Sequence, residues 1–175
     1  MNRSTDRILA THVGSIPRPP ELIEAMVAEE RDEPLDRQEY DAMLKRAVAD
    51  VVARQVELGI DCVSDGEFSK RGFAVYAHER LGGLTPGNRH RPAAWAGSRE
   101  VLSFPEFYEP MVRPPSGAPT AHSVQMICTG PIVYKGEEQL RRDLANLKVA
   151  VADSGATEAF VPAISPSDIA GNQVN

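Results

Sequence analysis

The residues best placed to do chemistry are two acids around a glycine, Asp65-Gly66-Glu67, directly after the apolar run Ile60-Asp61-Cys62-Val63-Ser64. Ile60, Cys62 and Val63 are strand formers, and Gly66 is free to take a positive φ, so the segment reads as a short buried strand ending in a charged turn. In a parallel α/β sheet or barrel such a turn lies at the carboxyl end, where those folds hold their ligands. There the carboxylates would receive a cation or a hydrogen-bond donor. A plain surface turn with solvated acids is the competing reading.

Three other strands end in small or polar turns: Gly14-Ser15, Thr129-Gly130-Pro131 and Ser165-Pro166-Ser167. The four histidines, His12, His78, His90 and His122, are scattered. Neither Cys62 nor Cys128 pairs with a histidine at a zinc-like spacing, and both read as buried reduced thiols in apolar strands. The chain lacks a Gly-x-Gly-x-x-Gly run and a phosphate-loop lysine, which counts against the usual dinucleotide and nucleotide-triphosphate folds.

The elements that must position these groups follow from periodicity and stop signals. Ile8 to Val13 reads as a first strand, and residues 20 to 30 as a helix with Pro20 at its first position. Asp36 is an N-cap, with Glu39 in position to complete a capping box, for a helix that Gly59 ends near Leu58. On that helix Leu44, Ala47, Val48, Val51, Gln55 and Leu58 share one face. Ser69 to Leu81 reads as a third helix, closed by Gly82-Gly83. Residues 82–121 hold half of the 14 prolines, with Trp95, Phe104, Phe107 and Tyr108, and read as a long insertion that packs against something. His122 to Cys128 is then a strand, 137–152 a helix, 158–164 a strand, and Ser167 caps a last helix. Alternating strands and helices predict a parallel sheet.

Composition bounds the partners. The net charge of −6 and the lack of a basic block argue against nucleic acid. No run reaches the ~20 apolar residues of a membrane span. The N-terminal residues lack the apolar stretch of a secretory signal, and with the reduced thiols this points to the cytoplasm.

Together the motifs resemble the catalytic barrel of the cobalamin-independent methionine synthase family and its short homologues. Thr11-His12-Val13-Gly14-Ser15-Ile16-Pro17-Arg18-Pro19 resembles the opening motif of that barrel. Ile60 to Glu67, followed by a helix and Leu81-Gly82-Gly83, resembles its second strand, and Cys128-Thr129-Gly130-Pro131 its Thr-Gly-Pro motif at the third. The resemblance implies an α/β fold, a TIM-like (β/α)8 barrel of which residues 1–175 supply about the first four βα units, with 82–121 inserted. It implies transfer of a methyl group from a methyltetrahydrofolate-type or other donor to the zinc-bound thiolate of homocysteine, giving methionine. By motif, Gly14 and Ser15 would hold the substrate carboxylate and Glu67 its ammonium, with Thr129 and Gly130 lining the pocket. The family's zinc ligands belong to the second half of the barrel, which this chain lacks, so no metal ligand is assigned here. Asp65 stands where the long enzymes usually have histidine and receives no role. A half barrel exposes two sheet edges, and self-association through them is one expectation. Two other readings stay open: a related barrel enzyme that alkylates another thiol or acts as a uroporphyrinogen-type decarboxylase, and an inactive half-barrel fragment. A substrate without an α-amino group would leave Glu67 unpaired, which favours homocysteine.

Overall fold

A computed structural model describes residues 2–87, 97–112, 126–171 and 173–174. The first two helices follow the sequence signals. α1 spans Pro20–Glu30 with proline at its start, and α2 spans Arg37–Glu57. Asp36 caps α2, its Oδ1 accepting from the N–H groups of Gln38 (2.9 Å) and Glu39 (3.2 Å). Leu22 and Met26 of α1 meet Leu44, Ala47, Val48 and Val51 of α2 in the main core, which Phe68 closes. Full burial of each large apolar side chain contributes roughly 1.5–3 kcal/mol. The opposite flank of α2 places Val52 against Val63 and Leu147.

β1 is short, Cys62–Ser64, and Gln55 on α2 fixes its end. The Gln55 amide donates to the carbonyls of Val51 (3.0 Å) and Ser64 (2.8 Å) and accepts from Ser64 N–H (3.0 Å). The expected first strand, Ile8 to Val13, is reduced to one parallel bridge between Thr11 and Cys62. The Asp61 carboxylate explains the loss. It takes Ala10 N–H (2.8 Å) and is clamped by Arg7, so a side chain occupies a donor that a ladder would use.

α3 spans Phe73–Arg80, starting later than the predicted Ser69 because turns occupy residues 66–69. It runs straight into β2, Leu81–Pro86, so Leu81-Gly82-Gly83 opens a strand instead of closing a helix. α4 (Arg99–Ser103) and α5 (Pro105–Val112) follow. Within this chain Leu102, Phe104 and Phe107 of the insertion are exposed; Trp95 lies outside the described residues.

β3 spans Met126–Tyr134 and pairs antiparallel with β2. The register passes from Gly82 opposite Val133 to Leu84 opposite Cys128, so Thr129 to Ile132 bulge out against Gly83 alone. Gly83 has φ +83, and a Cβ there would sit 2.3 Å from the Pro131 carbonyl oxygen. Thr129-Gly130-Pro131 is therefore the middle of a bulged hairpin strand and not the end of a parallel one. Cys128 is exposed and not a core thiol, while Cys62 is half-buried. His122 to Gln125, the start of the predicted strand, lie outside the described residues.

α6 spans Glu137–Val151 and packs on α2; β4 is Glu158–Phe160, α7 Pro166–Gly171 and β5 Gln173–Val174. β4 pairs parallel with β1, Cys62 opposite Glu158 and Ser64 opposite Phe160. β5 adds parallel to β3. The chain is thus a mixed α/β protein with two small sheets, β1-β4 and β2-β3-β5, and its described strands form no closed barrel. No described helix is long and apolar enough to cross a membrane.

Candidate functional site

The turn after β1 brings four charged residues together. Asp65, Glu67 and Lys70 are each at most 3% exposed. Gly66 has φ +66 and Glu67 φ +61, two successive residues in the left-handed region. For a side chain as large as glutamate this conformation costs about 1–2 kcal/mol. Asp65 holds the bend: its Oδ1 accepts Glu67 N–H at 2.9 Å, and its Oδ2 lies 3.5 Å from Lys70 Nζ. The result is a glutamate whose carboxylate is turned back toward the residues after the first extended segment.

Those residues meet it. Ser15 Oγ donates to Glu67 Oε2 at 2.5 Å, and Ile16 N–H donates to the Gly66 carbonyl at 3.1 Å. Arg18 Nη2 donates to the carbonyls of Glu67 (2.7 Å) and Lys70 (2.6 Å), buttressing the turn from behind. Burial lowers the Arg18 pKa from its ordinary value, with the charge of Glu67 the chief opposing influence. Two acids, Asp65 and Glu67, thus face two cations, Lys70 and Arg18. Glu67 Oε1 is buried and has no hydrogen-bond partner among the described residues. An orphaned carboxylate oxygen in a buried setting calls for a donor.

Gly14, Ser15 and Glu67 are therefore brought to one place, whereas Thr129 and Gly130 lie on β3 in the other sheet, Thr129 exposed. Sequence reasoning gave no role to Arg18 or Lys70. A signal for Arg18 was present: Pro17 and Pro19 fix the backbone on either side and so present the side chain rigidly. Among the described residues no three His, Cys, Asp or Glu side chains are grouped to hold a metal ion. The described residues do not fit a zinc site.

A short buried strand, a helix-backed core and a polar turn at the strand's carboxyl end define a mixed α/β protein. The chain matches the family model described as the catalytic domain of cobalamin-independent synthase over residues 8–152, and it belongs to that family. It is 25% identical over 149 residues to the 5-methyltetrahydropteroyltriglutamate–homocysteine methyltransferase of Thermotoga maritima, covering 80% of this chain and 20% of that protein. The enzyme of the same name from Mycobacterium leprae is 34% identical over 74 residues, covering 42% of this chain and 10% of its own. That of Bradyrhizobium diazoefficiens is 26% identical over 148 residues, covering 79% and 19%. The chain spans at most about a fifth of the length of these relatives.

Proposed function

We propose that this chain supplies the amino-acid-binding part of a homocysteine S-methyltransferase, within a TIM-like barrel that residues 1–175 help to build and that 82–121 interrupt. The observation that carries the reading is the buried, unpartnered Oε1 of Glu67. An ammonium seated against it would provide the missing donor as a charge-assisted hydrogen bond. The backbone at Gly14-Ser15, with the Ser15 hydroxyl, would take the carboxylate. A zwitterion adds no net charge to a cluster of two acids and two bases, so its binding leaves the local balance intact. The role of Thr129 and Gly130 in the same pocket rests on the sequence motif alone. The methyl donor would be of the methyltetrahydrofolate type, as the names of the relatives suggest, and zinc ligands would come from residues outside this chain. A cytoplasmic setting suits both the substrate and the free thiols.

Homocysteine binding to the chain, measured by calorimetry, tests the reading. Glu67→Gln keeps the shape and removes the charge, and is expected to weaken binding roughly tenfold or more. Equal affinity in wild type and variant would remove the ammonium from Glu67. An absence of saturable homocysteine binding in the wild type would count against the substrate.

A further inference from the structure

The turn that presents Glu67 is held by charge as well as by hydrogen bonds, and the charge comes from one buried lysine. Lys70 is 2% exposed, and its own N–H closes the turn on the Glu67 carbonyl at 3.0 Å. Its Nζ lies 3.5 Å from Asp65 Oδ2 and 5.4 Å from the centre of the Tyr76 ring. Among the described residues it is the only cation within 4 Å of Asp65. Arg18 and Arg80 are committed elsewhere. Arg18 gives Nη2 to the carbonyls of Glu67 and Lys70. Arg80 gives Nη2 to Asp143 at 3.0 Å and stacks on the same Tyr76 ring at 3.5 Å. The aromatic face attracts the Lys70 ammonium and helps to seat it, but Asp65 is its anionic partner.

Asp65 is 2% exposed, so its carboxylate depends on that lysine. Removing one member of a buried ion pair strands the charge of the other, which costs far more than the intact pair contributes. The chain must then give way somewhere. The place with least to lose is the turn itself. Glu67 already holds a left-handed φ of +61, and the Asp65 Oδ1 acceptor on its N–H at 2.9 Å keeps it there. Once the Asp65 carboxylate turns toward water, that bond is lost. Glu67 is then free to return to a relaxed backbone conformation, and its carboxylate leaves the Ser15 hydroxyl.

We infer that Lys70 is a positioning residue for substrate binding. By neutralising Asp65 it keeps the acceptor on Glu67 N–H, and so keeps the Glu67 carboxylate beside Gly14 and Ser15. This role rests on Glu67 as the group that takes the substrate ammonium, the function proposed above. Lys70 acts through Asp65 and not on the ligand.

Two readouts separate the role of Lys70 from the identity of the substrate. Amide hydrogen exchange at Glu67 reports the turn without any ligand, with the amides of Val48 and Val52 in the middle of α2 as internal standard. Calorimetry reports homocysteine binding. Lys70→Met should speed exchange at Glu67 about tenfold or more, leave the α2 amides unchanged, and weaken homocysteine about tenfold or more. Adding Asp65→Asn removes the stranded charge but keeps an oxygen for Glu67 N–H. The double variant should therefore bring both readouts back to within about threefold of wild type. Lys70→Gln takes the place of Lys70→Met, with the same expectation, if the methionine variant does not fold. Unchanged exchange at Glu67 would overturn the role. So would an equal rise at Glu67 and in α2, which means general loosening, or a double variant no better than the single one. The expected exchange pattern without homocysteine binding in wild type would support Lys70 as the holder of the Glu67 turn and count against the substrate alone.

Discussion

Asp61 shows how much one side chain decides near the start of the chain. Its carboxylate accepts both from Arg7 and from Ala10 N–H, and these two bonds, the Arg7 bond first, bring its pKa from an ordinary 3.8 to about 2. A carboxylate held below its unfolded value stabilises the fold above that value and loses the effect as pH falls through the folded one. Wild type should therefore exceed Asp61→Asn in stability by a constant margin above about pH 4. The margin should shrink toward pH 2 as the carboxylate protonates. Denaturant midpoints of the two chains across that window measure it, and a margin that stays flat down to pH 2 would show that Asp61 acts by shape alone. Glu67 is the contrasting case. It occupies a left-handed conformation, is buried, and leaves one oxygen without a partner. Those features concentrate at binding sites, where local strain is held in place by the surrounding structure.

At the scale of elements, α2 is the rod against which the site is set. Its Asp36 cap, its stop at Gly59 and most of its apolar face were legible, because each is a local signal written in consecutive residues; Leu58, expected on that face, is exposed at the helix end. Gln55 was legible only as a member of the inward face. Its use was not, since a buried glutamine that takes both backbone groups of Ser64 is defined by a residue nine positions away. Gln55→Leu fills similar space but strands the Ser64 N–H and C=O in the core, at about 1–3 kcal/mol each. Unfolding in urea is expected to report a loss of roughly 2 kcal/mol or more. Homocysteine affinity should fall with it, because Ser64 leads directly into Asp65 and Glu67. A variant as stable as wild type would mean that water or a shifted strand satisfies those groups. The hairpin of β2 and β3 was not legible for the opposite reason. Gly82-Gly83 and Gly130-Pro131 normally break elements, but here the bulge opposite Gly83 absorbs Thr129 to Ile132 and the pairing continues on both sides.

In the molecule as a whole, neighbours in space are not neighbours in sequence. The strand beside β1 is β4, almost a hundred residues later, and the crossover passes through the hairpin and α6. Parallel pairing of Ser64 with Phe160 means that the residues leaving β1 toward Glu67 and those leaving β4, Val161 to Ser165, depart from the same end of the sheet. A Thr-Gly-Pro motif read from sequence order alone lands on β3, in the other sheet, because order in the chain does not reveal that a hairpin has been added between two adjacent parallel strands. Gly14, Ser15 and Glu67 do lie together, since their segments are joined directly, by Thr11 to Cys62 and by Ile16 to Gly66. The difference can be measured. Thr129→Val removes a hydroxyl from an exposed residue in the bulge while keeping its shape and its preference for extended backbone. Homocysteine affinity should stay within about twofold of wild type, a change far smaller than a lost hydrogen bond to a charged ligand would give. A tenfold loss, with the fold intact by its unfolding midpoint, would instead mean that the hairpin closes over the Glu67 turn when substrate is bound, and would place Thr129 in the site.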